Sequence, residues 1–129
     1  MSVKNWAMLF GVVFVVVGVL GFVPGVTSNG HLLGIFEVDT THNVIHLLSG
    51  VIALLAAMGA AQYASLYFKV FGVLYALVTI AGFVQGDTVL GVIGVNLADN
   101  VLHLVIAALA LWIGFGMKDK PMMSQGQGM

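Results

Sequence analysis

The chain is 129 residues long, 60% hydrophobic and only 7% charged, with a formal charge of −1 and no cysteine. Its mean hydropathy is +1.11, and soluble domains carry about a quarter of their residues as charges, so lipid must solvate most of this surface. The lack of a basic patch excludes nucleic acid as a partner, and the lack of cysteine excludes disulfides, thiolate metal sites and iron–sulfur clusters.

The first apolar run, residues 6–23, holds no polar side chain. At 1.5 Å per residue it is long enough to cross most of a bilayer core. It also exceeds the 7–15 residues or so of a signal-peptide core, and no small-x-small cleavage site follows Pro24, so it reads as a retained helix. Further spans are expected over residues 40–61, 66–84 and 97–117. The connections "HLLGIFEV" and "VLGVIGV" are apolar with glycine punctuation. They are expected to dip to the interface or fold over the outer mouth of the bundle, where their backbone needs partners. Residues 118–129 form a short polar tail. The predicted fold is all-α: a polytopic four-helix up-down bundle.

Charge orients the bundle. All four lysines (Lys4, Lys69, Lys118 and Lys120) fall in the amino end, the middle connection or the carboxyl tail, and arginine is absent. Those segments share one side of a four-span protein, which the positive-inside rule makes cytoplasmic. Glu37, Asp39, Asp87, Asp99 and the four histidines (His31, His42, His46 and His103) fall on the other side.

The sequence also repeats itself. "LLGIFEVDTTHNVIHLL" aligns without a gap to "VLGVIGVNLADNVLHLV" at a shift of 57, matching Asn43 with Asn100 and His46 with His103. The preceding helices align at a shift of 61, residues 10–23 against 71–84. Two parallel helix–loop–helix repeats follow, residues 1–64 and 65–117, related by a pseudo-two-fold axis along the membrane normal. Asp39 and Asn96 occupy matching positions and are expected N-caps, with Asp99 favouring the positive end of its helix. His42, Asn43, His46, Gly50, Ala53 and Ala57 share one face of the second helix, as do Asp99, Asn100, His103, Ala107, Ala110 and Gly114 on the fourth. Such a face, polar at its outer end and small below, predicts helix–helix contact. Gly11, Gly18, Gly72 and Gly82 offer similar surfaces on helices one and three.

The preferred reading of the His/Asn motif is structural, with Asn43 and Asn100 hydrogen-bonding loop carbonyls and His46 and His103 bonding across the axis. The competing reading is a ligand site. His42, His46, Asp99 and His103, paired at i and i+4, would bind a divalent metal, or His46 and His103 would flank one haem. Proton or ion movement is disfavoured, because Ser49 and Thr79 are read as the only hydroxyls deep in the apolar spans. Nucleophilic catalysis is disfavoured too, since no acid is placed to orient Ser49 and His46.

Around "LLGIFEVDTTHNVIHLLSGVIAL" the chain resembles a family of small bacterial four-helix membrane proteins defined only as a domain of unknown function, in the pattern carrying His42, Asn43, His46 and Gly50. The resemblance implies four spans and a bacterial plasma membrane, and it brings no activity or cofactor. The expected protein is a non-catalytic structural or accessory component, partnered by the lipid bilayer and by other membrane proteins or itself. Chlorophyll or carotenoid on its lipid-facing surfaces is a further possibility, and a cofactor protein using the outer histidines is the alternative.

Overall fold

The computed structural model describes residues 1–117; the predicted tail, with Lys118, Asp119 and Lys120, lies outside the described residues. Four helices are each long and apolar enough to cross a membrane. They are α1 (Val3–Leu20), α2 (Thr40–Met58), α3 (Ala61–Gln85) and α4 (Leu97–Leu111), the last extended by a π-helical turn, Trp112–Gly116. Their packing is pairwise, α1 against α2 and α3 against α4, with α3 bridging the two hairpins.

The helix ends follow from local chemistry. Ser2 caps α1, accepting from Asn5 N. The expected caps on the outer side are both present: Asp39 accepts from His42 N and Asn96 from Asp99 N. The third helix begins earlier than expected, at Ala61, directly after the two-residue connection Gly59–Ala60. Lys69 therefore lies inside α3 rather than in the connection, exposed, with Nζ 5.7 Å from the Phe115 ring centroid. A lysine two turns into a span can carry its ammonium back to the interface on its flexible stem.

Helix contact uses the small faces. Every residue assigned to the α2 and α4 contact faces is buried, while Leu55, Leu77, Ile80 and Val105 point outward. The closest approach of a glycine to the facing backbone within the first hairpin is at Gly50, where an added Cβ would lie 2.8 Å from Val15 N and 2.9 Å from Gly11 O. Within the second it is at Gly114, where a Cβ would lie 2.7 Å from Lys69 N. The contacts also recur at the sequence shifts: a Cβ on Gly11 meets Leu54, and one on Gly72 meets Leu111.

The connections hold an element the sequence reading did not anticipate: they are small antiparallel ribbons. In the first, β1 (Thr27–Ser28) pairs with β2 (His31–Leu32), which pairs with β3 (Phe36–Glu37). In the second, β4 (Thr88–Val89) pairs with β5 (Ile93–Gly94). Each turn has positive φ at two successive residues: Asn29 and Gly30 in a two-residue loop, Leu33 and Gly34, and Leu90 and Gly91, each in a three-residue loop. That is the type I′ geometry whose twist suits a hairpin, and leucine adopts it only at a cost in backbone strain. Pairing their own backbone groups lets these apolar segments lie at a membrane surface.

Candidate functional site

The two outer ends meet through a set of cross-hairpin hydrogen bonds. Asp39 uses one carboxylate oxygen for its cap, and the other accepts from Gly94 N at 2.9 Å. Asn96 donates from Nδ2 to the Ile35 carbonyl at 2.9 Å. His42 makes the third tie, with Nδ1 3.2 Å from the Gly94 carbonyl oxygen. A carbonyl can only accept, so Nδ1 carries the proton and Nε2 of the neutral ring presents a lone pair.

The His42 ring belongs to a cluster. His42, His46 and His103 are 2%, 7% and 3% exposed. Their ring centroids lie 4.5 Å (His42–His46), 5.5 Å (His42–His103) and 6.3 Å (His46–His103) apart. One ring nitrogen from each lies within 4.8 Å of the other two. His46 and His103 each sit six residues into their helices, counted from Thr40 and Leu97, so they share a depth of roughly 9 Å. His42 Nε2, His46 Nδ1 and His103 Nδ1 are buried without a hydrogen-bond partner among the described residues. Buried polar groups are ordinarily paired, and three clustered imidazoles, each with an unpaired ring nitrogen among the described residues, have the chemistry of a ligand set.

The structure separates the other predicted site residues from this cluster. Asp99 is engaged in a capping box, its Oδ2 accepting from Asn96 N at 3.0 Å, and among the described residues only the three histidines gather. Asn43 and Asn100 do not tie down the loops; Asp39, His42 and Asn96 do. The amide oxygens of Asn43 and Asn100 have no hydrogen-bond partner. They instead occupy the space a side chain would take on Gly21 and Gly82, one pair in each hairpin. An oxygen against a glycine Cα makes the weak C–H···O contact recurrent at close helix crossings. His31, the fourth histidine, bonds the Asn29 carbonyl at the loop surface.

Below the cluster the interior is more polar than expected. Besides Ser49 and Thr79, the hydroxyls of Ser65, Tyr67 and Tyr75 belong to buried residues. Tyr75 Oη lies 3.0 Å from Ser49 Oγ, and Tyr67 Oη donates to the Ser49 carbonyl at 3.0 Å. The Tyr75 ring is 5.8 Å from that of His103 and stacks on Phe14, which in turn lies 5.7 Å from His46. The cluster thus rests on an aromatic floor.

The family model of a domain of unknown function, DUF4383, matches residues 4–116. The chain belongs to this family. Neither the curated proteins nor the solved structures yield a match. The matched region of this DUF4383 protein takes in all four helices, both ribbons and the three clustered histidines.

Proposed function

We propose that this DUF4383 protein is a small non-catalytic integral membrane protein that holds a divalent transition-metal ion, zinc or copper by ligand type, between its two helical hairpins. The observation that carries the reading is the gathering of three buried histidines, His42, His46 and His103, with one ring nitrogen of each within 4.8 Å of the other two. Tetrahedral zinc with Zn–N near 2.0–2.1 Å needs nitrogens about 3.3 Å apart. The triad, within 4.8 Å, must contract by up to about 1.5 Å, which imidazole rotation supplies. His42 has its outer nitrogen fixed by a backbone carbonyl, the usual support for a metal-bound histidine. Haem fits less well: the macrocycle would pass between His46 and His103, where the His42 ring sits. Three protein ligands leave one tetrahedral position open.

The test is metal analysis of protein purified in mild detergent without a histidine tag or chelator, together with cobalt(II) substitution. One equivalent of metal is expected in the wild type. It should be lost in His42→Ala, His46→Ala and His103→Ala and kept in Asp99→Asn. Metal-free wild type that does not take up cobalt, or equal retention by the histidine variants, would overturn the reading.

The same proposal places the site toward the outer face of a bacterial plasma membrane, with both termini cytoplasmic. Lys4 and Lys69 support it, since both lie near the end of the bundle opposite the histidines. A cysteine at Asn29 should be labelled only from outside and one at Ser2 only from the cytoplasm; the reverse pattern would invert the orientation.

A further inference from the structure

A cavity of about 490 Å³ lies beside the triad, between α2 and α3 and under the β4–β5 ribbon. Its walls are Ile45 from α2, Leu74, Val78 and Ala81 from α3, and Val89 and Ile93 from the ribbon. Leu74, Leu77 and Leu90, which also line it, are exposed on the outer surface of the bundle, so the cleft opens sideways toward lipid. Its volume falls within the roughly 300–1,000 Å³ of small-molecule sites. Four polar residues border it: His42, Ser49, Tyr75 and His103. Two of these carry unpaired ring nitrogens and are at least 97% buried. Among the described residues no Lys, Arg, Asp or Glu lines it.

A plain acyl chain would satisfy the walls and leave the open tetrahedral position beside the triad unfilled. A charged headgroup would find no counter-ion. The chemistry that answers both is a neutral oxygen on an apolar body. The flanking Tyr75 and Phe71 rings suit a flat headgroup.

Resting on the metal reading above, we infer that the cleft admits a membrane-dissolved phenol or quinone from the bilayer. Its oxygen reaches the histidine triad and takes the position the three imidazoles leave open. Binding involves no bond rearrangement beyond coordination or a hydrogen bond.

The test uses cobalt-loaded protein in lipid nanodiscs, with 4-nonylphenol as probe and nonylbenzene as its oxygen-free control. Nonylphenol should be retained at about one equivalent and shift the cobalt visible bands. Nonylbenzene should bind about tenfold more weakly, the worth of one polar contact, and leave the bands unmoved. Ala81→Phe, which fills the cleft away from the histidines, should keep its cobalt and weaken nonylphenol about tenfold or more; Val78→Trp serves if that variant fails to fold. Retention without a band shift, equal retention of the two probes, or undiminished binding in the filled variants would each overturn the inference. If wild-type protein takes up no cobalt, the metal reading fails by itself. The cleft is then judged by retention alone: nonylphenol preferred over nonylbenzene and lost in Ala81→Phe upholds the oxygen site, and its absence overturns it.

Discussion

Asp39 does two separable jobs, and substitution can divide them. One oxygen caps α2 through His42 N at 2.8 Å; the other holds Gly94 N at 2.9 Å. The Gly94 carbonyl in turn sets the His42 ring. In Asp39→Asn the amide oxygen keeps the cap, as Asn96 does naturally on α4, but an NH₂ then faces the Gly94 N–H. Losing a hydrogen bond to a charged group costs about 1.5–3 kcal/mol, and the partly exposed site points to the low end, about 1.5 kcal/mol. Asp39→Ala also loses the cap, worth about 1 kcal/mol more. The two variants should therefore differ in unfolding free energy by about 1 kcal/mol, measured by detergent-titrated unfolding. Both should weaken metal binding about tenfold, the lower end of what outer-shell partners contribute, measured by competition with a chromophoric chelator. Equal stability of the two variants would refute the capping role. Full metal affinity in both would refute the chain from Asp39 through Gly94 to His42.

Gly50→Ala should destabilise the protein by about 2 kcal/mol, within the 1–3 kcal/mol typical of overpacking, because its Cβ would meet backbone atoms of α1 at 2.8 and 2.9 Å. An unchanged unfolding midpoint would show that the hairpin spacing is not set there. Tyr75→Phe removes the hydroxyl partner of Ser49 and should cost about 0.6–1.7 kcal/mol, the range for polar contacts in membrane bundles, while leaving metal content intact. Loss of metal in that variant would mean that the hydroxyl belongs to the site.

The helices and their contact faces were legible because lipid imposes a simple rule: small residues and glycines at 3–4 spacing mark contact, and large aliphatics mark lipid. Asp39 and Asn96 were legible because a cap is a local event, decided within three residues. The ribbons were missed although Asn29–Gly30 is a strong type I′ signal. Their strands are two residues long, too short for alternation to show, and Leu33 and Leu90 stand where a turn residue is ordinarily polar or small. Asp99 was expected in the candidate ligand set because periodicity puts it on the face of His103; the structure uses its Oδ2 in the α4 capping box, and the gathered group is the three histidines. The tyrosine hydroxyls were overlooked because Tyr67 and Tyr75 read as aromatic filling, and their Ser49 partners are 18 and 26 residues away. The gathering of His42, His46 and His103 was legible, because i,i+4 spacing puts the first two on one face of α2 and the internal repeat sets His103 at the position of His46.

Because the triad takes two imidazoles from the first hairpin and one from the second, whatever occupies it works as a clasp. Occupancy and assembly are then two sides of one equilibrium: a ligand at a hundred times its dissociation constant adds about 2.7 kcal/mol to the docked state. Halves cut at the Gly59–Ala60 connection, made as separate polypeptides, would associate more tightly when the ion is present and drift apart when a chelator removes it. The membrane supplies each hairpin with its shape, and the metal would decide whether the pair stays closed.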